Sequence, residues 1–267
     1  VSGFSSEWLA LREPLDRRAR NRDVRDAVAA AFRDRAALSI VDLGSGTGAT
    51  VRALFPHLPK PQHWRLVDND GVLLAEAFAM ERPDDVVVET QQVDLNDDVG
   101  PLLDGADLVT SSALIDLVSE PWLANLAAAA AARSLPVYIA LTYDGRASFS
   151  AVDPLDALII SSVNAHQRRN KGFGPALGPR AALSAEKLFR ALGYAFVQGP
   201  SDWVAETADV TFQIELLRGW LHAAREVGDL APGTLDAWFK RRCEAVEAGK
   251  LALSVGHVDF FAQPAKR

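Results

Sequence analysis

Short apolar runs ending in a carboxylate or a glycine alternate with stretches of helical apolar spacing along most of this chain. Residues 39–43, 64–68, 86–96, 106–112 and 136–143 carry the runs and read as strands, the first of which, with Ile40, Val41 and Leu43, is expected to be buried on both faces. Between them, residues 49–55, 73–80 and 121–133 place apolar side chains at helical intervals. The alternation predicts an α/β fold with helices on both sides of a mostly parallel sheet. Ahead of it, residues 5–36 read as a helical segment from Trp8, Leu9 and Leu11 through Val24, Val28 and Phe32. Behind it come a helix over 185–192 ended by Gly193, a strand at 194–197, helices over 210–227 and 234–248, and a last strand over 251–261. Asp153-Pro154 opens a further helix with the stripe Leu155, Leu158, Ile159, Ser162, Val163 and His166. The expected organisation is an N-terminal helical segment (1–36) and a main domain (37–267) carrying a substrate cap (145–185) and a helical insertion (205–249).

The first strand stops abruptly in Gly44-Ser45-Gly46-Thr47-Gly48, and a helical pattern follows from Ala49. Glycines there allow backbone angles and ligand approach that a Cβ forbids, and the loop offers N–H groups at a helix N-terminus. Gly44, Gly46 and Ala49 also satisfy the dinucleotide spacing G-x-G-x-x-G/A, so a nicotinamide or flavin enzyme stays open on spacing alone. Asp42, two residues before the first glycine, suits an ammonium group or a loop N–H and would repel a pyrophosphate. Asp68 ends the second strand, where a carboxylate can accept both ribose hydroxyls of an adenosine; as a plain alternative, Asp68-Asn69-Asp70-Gly71 caps a helix.

Asp42-Leu43-Gly44-Ser45-Gly46-Thr47-Gly48 resembles motif I of the class I S-adenosylmethionine-dependent methyltransferases. The resemblance implies a Rossmann-like seven-stranded sheet flanked by helices, its final strand antiparallel, and S-adenosylmethionine as cofactor with S-adenosylhomocysteine as product. It implies cofactor contacts from Asp42, Gly44, Ser45, Gly46, Gly48, Asp68 and Asn69, with Asp94 and Leu95 beside the adenine. Ser111 and Ser112 end the fourth strand, where the family passes the cofactor. An arginine of the N-terminal segment would reach the methionine carboxylate, Arg12 first and Arg20 second; a solvated, salt-bridged face is the alternative. Asp116, Tyr143, Asp144 and His166 are the candidate proton acceptors by position. Arg168, Arg169 and Lys171, in a glycine-rich loop, would suit an anionic small molecule or simply solvation.

At 267 residues the chain can build an extensive core, and 49% hydrophobic with 24% charged residues is a globular composition. The net charge of −7 weighs against generic binding to nucleic acid or an anionic membrane, so a small-molecule acceptor is expected. Cys243 is the only cysteine, which excludes an intrachain disulfide and a cysteine zinc cluster. No apolar run reaches the length of a membrane span and no basic-then-apolar leader opens the residues given, so a cytoplasmic setting is expected. The insertion would shape the acceptor pocket or a homodimer contact. The nucleophilic atom is open among oxygen, nitrogen, sulfur and carbon. Three other functions remain: an NAD(P)-dependent oxidoreductase, a non-catalytic binder of the same cofactor, and a methyltransferase acting on protein or RNA should the basic loop continue into a groove.

Overall fold

Alternation along each strand decides the layering. In β1 (Leu38–Leu43) Ile40 enters one apolar cluster while Val41 and Leu43 enter another on the opposite face of the sheet. The computed structural model describes residues 4–265, so residues 1–3 and 266–267 of the two expected domains lie outside it. Its helices are α1 (Ser6–Ala19), α2 (Arg22–Phe32), α3 (Ala49–Leu54), α4 (Gly71–Ala79), α5 (Glu120–Ala132), α6 (Asp156–Gln167), α7 (Ala181–Ala191), α8 (Val210–Val227) and α9 (Pro232–Glu247). The remaining strands are β2 (Gln62–Asp68), β3 (Val86–Gln92), β4 (Leu108–Ser112), β5 (Val137–Phe149), β6 (Tyr194–Pro200), β7 (Trp203–Ala205) and β8 (Leu253–Pro264). The sheet order is β3-β2-β1-β4-β5-β8-β6, with β7 also paired to β8. β1 to β5 run parallel, whereas β8 is antiparallel to β5, β6 and β7. The order reverses between β1 and β4, where Asp42 faces Thr110 and Leu43 faces Ser111. Open α/β sheets bind ligands beyond the strand C-termini at such a reversal.

The structure revises four expected boundaries. The helical segment is two helices, because the backbone at Arg20 (ψ 129°) and Asn21 (ψ 122°) leaves helical geometry; the Asn21 side chain then caps α2 at the Val24 amide. β5 continues to Phe149, so residues 145–149 of the expected cap belong to the sheet, pairing Ala147 with Val255 and Phe149 with Leu253. The third strand stops at Gln92, and Asp94 to Asn96 form a turn held by the Asp94 carboxylate. The eighth strand, absent from the expected seven, is β7, three residues that extend the line of β6 along β8. α6 packs on α8, and α8 on α9, beyond the C-terminal edge of β5. Among the described residues no helix is long and apolar enough to cross a membrane.

Candidate active site

The glycine loop leaves β1 with the Gly44 and Ser45 amides donating to the Val67 carbonyl at 2.8 and 3.1 Å. The Gly46 amide donates to Asp68 Oδ2 at 2.8 Å, and Asp68 Oδ1 accepts from the Asp70 amide at 3.1 Å. One carboxylate thus fixes the loop and the end of β2 together. Gly44 and Gly46 have φ of +66° and +51°, and a Cβ on Gly46 would meet Leu9 of α1 at 3.2 Å. A cleft of about 330 Å³ opens over this loop. Gly44, Ser45, Gly46, Asp68, Asn69, Asp94, Leu95 and Ser112 all line it, and Arg12 and Leu9 cover it from α1. Ser45 Oγ is buried without a hydrogen-bond partner on this wall, as is Arg12 Nε, although Arg12 lies 3.2 Å from Asp16 Oδ2. Orphaned polar atoms, a cradle that a Cβ would fill and a pair of strand-end carboxylates fit a polar nucleoside ligand.

Six expected residues line neither cleft: Asp42, Gly48, Ser111, Asp144, Arg20 and, of the basic loop, Arg168. Asp42 is fully buried behind the loop, its Oδ1 accepting from Thr110 Oγ1 at 2.7 Å. Gly48 lines neither cleft: it caps α3, and a Cβ there would overlap the end of Met80. Ser111 donates to the Leu43 carbonyl at 2.7 Å, inside the sheet. Asp144 accepts from the Arg146 amide and guanidinium, at 2.9 and 2.8 Å, on the outer edge of β5. Of the two arginines weighed for the methionine carboxylate, Arg12 reaches the cleft; Arg20 is buried behind it, donating to Tyr138 and Ser112 at 3.3 Å.

Burial pushes the Asp42 carboxyl up from 3.8 to about 6. The native state therefore keeps a proton that the unfolded chain releases between these values. The contribution is fully present below pH 3.8 and lost as pH rises through 6, about 3 kcal/mol for a shift of this size. Asp42→Asn is expected to gain about 1 kcal/mol more over the native chain at pH 7 than at pH 5 in urea unfolding. A difference that does not change with pH would show that Asp42 is not a buried charge.

A second, larger cavity of about 1220 Å³ adjoins the first. Asp116, Tyr143 and His166 line it, and Phe4, Arg12, Ala113, Leu117, Lys171 and Gly172 line both. Burial raises the Asp116 carboxyl to about 6, and its Oδ1 has no partner. Tyr143 donates to Asn164 Oδ1 at 2.8 Å, and burial raises its hydroxyl above the usual range. Lys171 Nζ donates to His166 Nδ1 at 3.0 Å, and His166 Nε2 donates to Glu226 at 2.9 Å. Burial, aided by Arg169, holds Lys171 below the usual lysine range. Two positive-φ residues shape the walls, Ala113 at 52° and Leu141 at 55°.

Several wall residues were not expected. Trp8, Trp203 and Trp220 form an aromatic lining, and His257, read as an ordinary strand residue, faces the cavity. Burial lowers His257 to about 4, and its Nδ1–H donates to the Val255 carbonyl at 3.0 Å. An uninterrupted helix pattern around Trp8 and Trp220 gave no hint of a cavity, because the same spacing serves a core.

No protein-family model matches the chain, and no curated protein matches its sequence. Solved structures do match in fold. The cyclopropane synthase MmaA2 of Mycobacterium tuberculosis aligns over 97% of this chain and 95% of its own, with TM-score 0.51 and 10% identity. A cyclopropane-fatty-acyl-phospholipid synthase-like protein of Lactobacillus casei covers 98% and 94%, with TM-score 0.50 and 16% identity. The YcgJ protein of Bacillus subtilis covers 92% and 100%, with TM-score 0.50 and 15% identity. The chain shares the fold of these proteins, a Rossmann-like α/β sheet flanked by helices. Its sheet differs from the all-parallel dinucleotide-binding order in its antiparallel β8, inserted between β5 and β6. That topology, rather than Asp42, separates the two nucleotide folds here, since Asp42 does not face the cleft.

Proposed function

We propose that this protein transfers a methyl group from S-adenosylmethionine to a small-molecule acceptor, leaving S-adenosylhomocysteine. The observation that carries the reading is the junction of the two cavities, a nucleoside-sized cleft opening onto a larger chamber through the walls they share. A closed cleft would suit a sensor; an adjoining chamber supplies room for a second reactant.

The chain's residues divide the work. Asp68 would accept the ribose hydroxyls, Asp94 and Leu95 would flank the adenine, and Arg12 would meet the methionine carboxylate. When bound, the sulfonium supplies an electrophilic methyl that needs no metal activation. The protein must then align the acceptor and exclude water. Asp116, ionised at neutral pH with its carboxyl near 6, would take the acceptor's proton. Arg169 and Lys171 at the chamber rim would hold an anionic group of the acceptor. α6 with the loop after it, and α8 with α9, would act as the substrate cap.

Calorimetric titration with S-adenosylmethionine, S-adenosylhomocysteine and NAD(H) in parallel tests this. Micromolar binding of the two sulfur compounds and none of NAD(H) is expected; the reverse pattern would replace the methyltransferase by an oxidoreductase.

A further inference from the structure

The larger chamber holds a buried carboxylate oxygen that no part of the chain satisfies. Asp116 is 5% exposed, and its Oδ1 has no hydrogen-bond partner. No side chain donates to it, although the charges of Arg12 and Lys171 act on the carboxylate. Arg12 sits on Asp16, Lys171 donates to His166, and the Tyr143 hydroxyl donates to Asn164. A buried acceptor left in this state is costly unless an occupant brings a donor. Ala113 and Leu117, on either side of Asp116 in sequence, line both cavities, so the carboxylate stands close to the junction.

Three tryptophans line the same chamber, and each is packed against another ring. Trp8 stacks on Phe212 at 5.6 Å, Trp203 lies 4.5 Å from the His257 ring, and Trp220 meets Phe149 edge-on at 5.8 Å. An aromatic lining held in place by ring contacts favours a flat aromatic body over a flexible or puckered one.

We propose that the methyl acceptor is an aromatic molecule whose accepting atom is a ring-borne oxygen or nitrogen that carries a proton, donated to Asp116, with the ring against Trp8, Trp203 and Trp220. This rests on the methyl-transfer reading and narrows it, selecting a protonated heteroatom over carbon. The acceptor's lone pair forms the new bond to carbon, the carbon–sulfur pair stays with sulfur, and the acceptor's proton passes to the Asp116 carboxylate and then to solvent.

The test uses three probes of one shape: 2-naphthol, 2-methoxynaphthalene and decahydro-2-naphthol. Each is titrated calorimetrically into the full protein, with and without saturating S-adenosylhomocysteine. 2-Naphthol is expected to bind about tenfold or more tighter than its methyl ether, for the lost charge-assisted hydrogen bond. It should bind roughly threefold to tenfold tighter than the saturated alcohol. Asp116→Leu should bring the naphthol and its ether within about twofold of each other, and Trp220→Leu should shrink the preference for the aromatic ring. Equal binding of the ether or of the saturated alcohol overturns the inference, as does a failure of all three probes to bind. Discrimination that survives Asp116→Leu removes Asp116 from it. If the naphthol preference holds while S-adenosylhomocysteine does not bind, the methyl-transfer reading fails and the acceptor role with it, leaving the chamber a site for a proton-donating aromatic ligand.

Discussion

Asp259→Ala is expected to lower the unfolding free energy by about 3–5 kcal/mol, the cost of stranding one half of a buried ionic network. Asp259 is fully buried on β8, where its Oδ1 accepts from the Leu141 amide at 2.7 Å and its Oδ2 from the Asn21 amide at 2.9 Å. Tyr138 links it to Arg20: its hydroxyl donates to Asp259 at 3.4 Å and accepts from Arg20 at 3.3 Å. Removing the carboxylate takes one of the acids around the buried Arg20 guanidinium, which keeps Asp16, and leaves the Leu141 amide without its acceptor. That amide belongs to a residue at φ 55°, in the register shift between Ile139 and Thr142. A non-glycine residue there costs about 1–2 kcal/mol and persists only while its surroundings hold it. The loss should therefore reach the chamber wall, which Leu141 and Tyr143 help to form. Guanidinium unfolding of three proteins checks this: native, Asp259→Ala, and Arg20→Met with Asp259→Leu. The double variant should recover at least half the loss, because both charges leave together. A loss below about 1 kcal/mol in Asp259→Ala would mean that the network holds nothing in place.

The same cluster explains where the sequence misled. Residues 5–36 are rich in helix formers apart from Pro14, and the cap residue Asn21 permits a break after Arg20 without requiring one. The break comes from tertiary burial, which draws Arg20 to Tyr138 and Ser112 and leaves Asn21 to start α2. β5 is similar: the run was expected to end at Tyr143, yet beyond an irregularity at Asp144-Gly145-Arg146, where Gly145 has φ +88°, Ala147 to Phe149 pair again with a distant β8. By contrast, β1, β4 and the first half of β5 were legible because burial on both faces demands unbroken apolar runs, whereas β3, at the sheet edge, buries only Val86 and Val88.

Legibility of the site divides along the same line. The glycine loop, Asp68, Asp94 and Leu95 are each positioned by their own strand end, so spacing along the chain was enough to place them on the cleft. Ser111 and Ser112 were expected there together, yet strand alternation sends one inward to the Leu43 carbonyl and the other to the cleft. The chamber was beyond reach of local reading. Its walls come from α1, α6, α8 and the β7–β8 pair, brought together only by the sheet order.

Gly46→Val is expected to weaken S-adenosylhomocysteine binding by at least about a hundredfold in a protein that still folds. Gly46 has φ +51°, a region closed to a β-branched residue, and the new Cβ would press on Leu9, which covers the cleft. The loop must then rotate, carrying the Gly46 amide away from Asp68 Oδ2, where it now donates at 2.8 Å. Asp68→Ala removes the other half of that pair together with the acceptor proposed for the ribose. Loss of charge-assisted hydrogen bonds worth about 1.5–3 kcal/mol predicts a tenfold to hundredfold weaker complex. Asp68→Asn keeps one acceptor oxygen for the Gly46 amide and should fall between the two. Calorimetry on variants whose circular dichroism matches the native protein separates binding from folding. Native affinity in folded Gly46→Val would place the ligand away from the loop. A large loss in Gly46→Val with none in Asp68→Ala would keep the loop and remove Asp68 from the ribose, leaving it the structural task of joining β2 to the end of β1.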